Sequence, residues 1–138
     1  MRLEGWEVRF ADYLDRATFK KFKWGECDCL IFAADCVLVL TGIDVMAKKK
    51  RNDPPTIRGM YETEEEAKTL IKKYRKSIRD IMDVHFDRKS VNFAKRGDVV
   101  MYKNAFGICS GQGFAFFKDR DHKITLVKLS ECKVVWDI

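Results

Sequence analysis

Histidine and proline are scarce in this 138-residue sequence, with two of each. Two prolines, together with 46% hydrophobic and 12% aromatic residues, describe an ordinary folded chain and exclude a disordered one. A secretory leader is missing: Met1-Arg2-Leu3-Glu4-Gly5-Trp6-Glu7 carries scattered charges and lacks an apolar core and a small-residue cleavage site. A membrane span is missing too, because the longest apolar stretch, Cys29 to Leu40, is interrupted by Asp35 and falls short of the ~20 residues required. The expectation is a protein made in the cytoplasm. Repeats, linkers and low-complexity tracts are absent, so residues 1–138 are expected to form one domain, long enough to bury roughly two-thirds of its unfolded surface.

The cysteines do not form a recognisable framework. Five cannot all pair within one chain, and without an export signal they read as reduced thiols. Cys27 and Cys29 are separated by one residue instead of the two of zinc sites, and Cys109 and Cys132 have no metal-ligating neighbour, so no metal or cofactor is expected. Cys36, Cys109 and Cys132 read as small buried apolar residues.

What is present in excess is positive charge. Lysine and arginine number 27 against 21 acidic residues, a net charge of +6, which favours anionic partners such as nucleic acid, membrane headgroups or bacterial cell wall without choosing among them. The densest basic run, Lys48-Lys49-Lys50-Arg51, leads into Asn52-Asp53-Pro54-Pro55 and reads as a solvated loop. No aromatic residues interleave with it, so nucleic acid is not the expected partner.

Periodicity divides the chain in two. Trp6, Phe10, Leu14 and Ala17 recur at helical spacing and predict an amphipathic helix. Asp28 is a good N-cap and Gly42 a good C-cap for a helix from Cys29 that is apolar on nearly every face, and therefore central to the fold. Thr63-Glu64-Glu65-Glu66 is a capping-box sequence, with Ala67, Leu70, Ile71 and Tyr74 following at helical spacing. Ser77-Ile78-Arg79-Asp80 opens a short further helix carrying Ile78, Ile81 and Met82. Both of these are expected at the surface. From Arg96 onward, Val99–Tyr102, Phe106–Cys109, Phe114–Phe117, Ile124–Val127 and Val134–Trp136 are short apolar runs split by Gly, Asn and Asp, which predicts strands in a meander. The fold class is α+β, with a helical part at about 4–84 and a sheet part at about 96–137, and the central helix packed on one face of the C-terminal antiparallel sheet.

Cys29 is the candidate functional residue. A thiol in the first turn of a helix meets unpaired backbone N–H groups and the positive end of the helix dipole, both of which favour the thiolate. Trp24 and Gly25 supply a wall and a close approach beside it, and Asp28 sets the angle at which the helix begins. The same position also suits a small residue at a buried helix start.

The ordered motifs resemble the NlpC-type papain-like cell-wall peptidases: Trp24-Gly25, Asp28-Cys29 and Phe32, then Arg96-Gly97-Asp98-Val99-Val100, then Gly107-Ile108. They are similar above all to short phage proteins encoded among tail genes, which share WG-x-x-DC-x-x-FAAD, RGDVV and GIC-x-G segments. Here these are Trp24 to Asp35, Arg96 to Val100 and Gly107 to Gly111. The resemblance implies a papain-like fold with Cys29 at the nucleophile position. It also shows a departure: where the family carries its histidine base, this chain has Ala105, and the third, orienting residue falls near Phe116 or Phe117. His122, in a charged hairpin tip, and His85, off any motif, are the remaining imidazoles. The resemblance thus implies a structural or assembly component of a phage tail with a degenerate catalytic site, partnered by other tail or virion proteins. The alternative it implies is a cysteine peptidase or amidase acting on peptidoglycan during phage entry. A small nucleic-acid or host-factor binder would rest on charge alone.

Overall fold

The computed structural model describes residues 1–138, and in its N-terminal half two of the four helices open on side-chain caps. α1 (Trp6–Thr18) turns its Phe10, Tyr13 and Ala17 stripe inward. α2 (Cys29–Thr41) starts at Asp28, whose carboxylate accepts the Ile31 N–H at 2.9 Å, and stops at Gly42, which takes φ 80° as its C-cap. Leu30, Ile31, Phe32, Val37 and Leu40 are all buried. At about 1.5–3 kcal/mol for each large side chain removed from water, packing outweighs intrinsic helix propensity here. α3 (Glu64–Tyr74) begins at Thr63, which accepts the Glu66 N–H. α4 (Asp80–Asp83) corrects an expectation: Ile81 and Met82 are fully buried, so this single turn is a core element and not a surface helix.

Six strands follow: β1 (Arg88–Lys89), β2 (Val99–Tyr102), β3 (Ala105–Cys109), β4 (Phe114–Lys118), β5 (Ile124–Lys128) and β6 (Val134–Trp136). They form one sheet in the order β1-β6-β2-β3-β4-β5, with every neighbouring pair antiparallel. The fold is therefore α+β. The expected meander holds from β2 to β5 and then breaks, because β6 returns to lie beside β2, with Val99 opposite Trp136 and Met101 opposite Val134. All three β6 residues are buried, in keeping with an interior strand paired on both sides. β1, with only Arg and Lys, has no apolar alternation to announce it. β2 and β3 are joined by Lys103 and Asn104, both at positive φ (48° and 63°), the requirement of a tight two-residue hairpin.

α2 lies against one sheet face. Val99, Met101, Phe106, Ile108, Val134 and Trp136 join the helices in a core of 26 buried residues. The opposite face carries a smaller core of Val100, Cys109, Ala115, Phe117, Cys132 and Val135, flanked by Val91, Ala94 and Leu129.

The two glycine-containing segments of the sheet hold one another. Cys109 donates its N–H to the Asp98 carbonyl at 2.8 Å, and Gly97 donates to the Cys109 carbonyl at 2.9 Å. A Cβ on Gly111 would come within 2.9 Å of the Arg96 Cβ, and the Arg96 guanidinium lies over Phe10 of α1 at 4.8 Å. Asp98 is fully buried and accepts from the Lys95 and Ile138 N–H groups, with Arg2, Lys89 and Lys95 as its ionic partners.

Candidate active site: a cleft beside Cys29

The chain approaches α2 through a loop that Lys23 and Cys27 close by exchanging backbone hydrogen bonds. Gly25 sits inside it at φ 83°, and a Cβ there would lie 2.1 Å from the Tyr61 carbonyl oxygen, so glycine is required both by conformation and by space. Asp28, fully buried, does more than cap. One carboxylate oxygen accepts the Ile31 N–H, and the other accepts the Gly25 N–H at 2.9 Å and the Tyr61 hydroxyl at 2.7 Å. One carboxylate thus ties together the loop, the helix start and the segment ahead of α3. Trp24 meets Phe22 edge-on at 5.0 Å, and the Arg120 guanidinium lies 5.5 Å from the Trp24 ring.

Cys29 is the first residue of α2 and is half-buried. The Phe106, Leu30 and Cys29 N–H groups face its sulfur and favour the thiolate, but burial is the larger effect and the Asp28 carboxylate adds to it, so the thiol is pushed up to about 11. The helix-start amides are thus outweighed by desolvation and by the buried anion that caps the same helix. Phe106 belongs to β3, whose pairing with β4 is confined to Ile108 with Phe116 and Cys109 with Ala115. The sulfur therefore lies against the part of β3 that β4 leaves unpaired.

The thiol opens onto a cleft of about 760 Å³ lined by Trp24, Tyr61, Ile71, Tyr102, Ala105 and Phe117 among others. The structure thus brings Cys29, Trp24, Asp28 and Ala105 to one site. Phe117 also lines it, with its ring so close to Gly107 that a Cβ there would fall 2.4 Å from ring carbon, whereas Phe116 faces the main core. Neither histidine lines the cleft. His122 stands in the turn after β4 at φ 66°, and its Nδ1 accepts the Phe22 N–H at 2.8 Å. His85 is exposed after α4, its pKa lowered by partial burial and by the Arg75 and Lys49 charges.

The carboxylates in the cleft are occupied: Asp28 as described, Glu64 with Arg120 and Lys68, and Asp119 with the Asp121 and Lys123 N–H groups of its own turn. All five cysteines are free, and burial raises the thiols of Cys27, Cys36, Cys109 and Cys132. No cluster of three or more His, Cys, Asp and Glu could hold a metal ion, and no helix is long and apolar enough to cross a membrane. Tyr61 and the lysines of the rim were not visible to sequence reasoning. Tyr61 lies in a stretch without periodicity, and only its long-range contact with Asp28 reveals it.

No curated protein and no solved structure matches the chain. All of it, residues 1–138, matches the family described as a domain of unknown function, DUF6950, and it belongs to that family.

Proposed function

We propose that this DUF6950 member keeps a papain-like fold as a structural or assembly component of a phage tail, and that Cys29 does not hydrolyse peptide bonds. The observation that carries the reading is the shared cleft of Cys29 and Ala105, with no imidazole lining it. Amide hydrolysis by a thiol needs a group that takes the sulfur's proton and delivers one to the leaving amine. The thiol at about 11, the absence of an imidazole from the lining and the engagement of the cleft carboxylates with other donors support this reading. The assignment to a tail rests on the resemblance of Trp24–Asp35, Arg96–Val100 and Gly107–Gly111 to short tail-encoded proteins. The packing of these segments supports a structural meaning for the motifs, since Asp28 organises the helix start and Arg96, packed against Gly111, lies over Phe10 of α1.

The test is Cys29→Ala in the phage genome, with tail assembly, infectivity and cleavage of purified peptidoglycan measured together. All three are expected to match the parent. Loss of a cleavage activity that the parent shows would replace this reading with the peptidase one.

A further inference from the structure

The cleft has a charge pattern that the missing chemistry does not use. Its floor is apolar, with Ile71 and Ile78 from α3 and the segment after it, and Tyr102, Phe117 and Val127 from the sheet. Its rim carries Lys72, Lys76 and Lys103, all exposed and none in an ion pair. The rim cations that are neutralised, Lys68 and Arg120, share Glu64. A smaller adjoining cleft of about 330 Å³ extends the positive potential with Arg79 and Lys133, against the single acid Glu131.

We propose that this cleft docks an acidic, partly apolar segment of a partner protein, with its carboxylates at Lys72, Lys76 and Lys103 and its apolar side chains on the Ile71–Tyr102 floor. Charge complementarity selects an acidic ligand, and the apolar floor selects a peptide over a uniformly polar polyanion. Single-stranded nucleic acid is disfavoured because the aromatic faces are already engaged: Trp24 by Phe22 and Arg120, and Tyr102 by Phe117 at 6.1 Å and the Lys103 ammonium at 5.2 Å. The inference deepens the assembly reading by naming the kind of partner.

Fluorescence anisotropy on the full chain tests it, with a labelled alternating Glu-Leu peptide, an alternating Glu-Ser peptide, oligothymidine and soluble peptidoglycan stem peptides as probes. The Glu-Leu peptide is expected to bind best. Lys72→Glu with Lys103→Glu should weaken that binding about tenfold or more. Lys48→Glu with Lys50→Glu, an equal change in net charge outside the cleft, should leave it within about twofold. Circular dichroism of both variants checks that they fold. The proposal is overturned if no Glu-Leu binding occurs, if both double reversals weaken it equally, or if oligothymidine or stem peptides bind more tightly. Cleavage of the bound peptide would sink the non-hydrolytic reading and leave the docking groove standing.

Discussion

At Cys29, three backbone N–H groups favour the thiolate while burial and the Asp28 carboxylate favour the thiol, and the balance leaves the group at about 11. At neutral pH the sulfur is therefore protonated, and alkylation by iodoacetamide should be slower than for an exposed cysteine, with a rate that climbs toward pH 11. Fast labelling near pH 7 would contradict this. The same displacement acts on stability. The folded state keeps a proton that the unfolded state loses near its ordinary value of 9.0, so stability falls as pH rises between about 9 and about 11. Cys132, also raised to about 11 by burial, contributes in the same sense and window. Urea titrations of Cys29→Ala against the parent should show less alkaline loss in the variant.

At the scale of elements, the start of α2 depends on one carboxylate with three donors. Asp28→Ala removes an N-cap and leaves the Gly25 N–H and the Tyr61 hydroxyl without their partner, a combined cost of about 2–4 kcal/mol in urea unfolding. Tyr61→Phe, which loses one hydrogen bond and leaves Asp28 in place, should cost only about 1 kcal/mol. In the sheet, Gly107→Ala drives a methyl group into the Phe117 ring and should cost about 1–3 kcal/mol, most of it recovered by adding Phe117→Leu. These elements differ in how readable they were. The caps Asp28, Gly42 and Thr63 act within a few residues and were visible in sequence, as was the burial of α2. The position of β6, the existence of β1 and the core role of α4 were not visible. Each depends on partners far along the chain: Trp136 opposite Val99, Arg88 opposite Trp136, and Ile81 and Met82 in the common core. The site was legible in the same partial way. Cys29, Trp24, Gly25, Asp28 and Ala105 could be named from motifs, while Tyr61 and the free rim lysines required the tertiary structure.

The molecule as a whole is tied at Asp98. Its buried carboxylate receives Arg2 from the N-terminal segment, Lys89 from β1, Lys95 from the loop before β2 and the N–H of Ile138, while Arg2 also donates to the Arg96 and Ile138 carbonyls. Asp98→Ala removes the anion and leaves Arg2 without a carboxylate, while Lys89 and Lys95 keep Asp137, at a cost of about 3 kcal/mol and with loss of order at both ends of the chain. Chemical denaturation and hydrogen exchange would check this, and an undiminished midpoint would show the network to be dispensable. At this scale the RGDVV-type segment is a joint between strands and helices.

β3 and β4 are joined only at Ile108 and Cys109, and beyond that point the Phe106 amide faces the Cys29 sulfur. The thiol thus takes the Phe106 amide that the β3–β4 ladder leaves unpaired. That gives the cysteine a packing role at the junction of α2 with β3. The Phe106 amide should exchange with solvent ahead of its β3 neighbours, and an alkyl group on Cys29 should speed that exchange by displacing the sulfur from the amide.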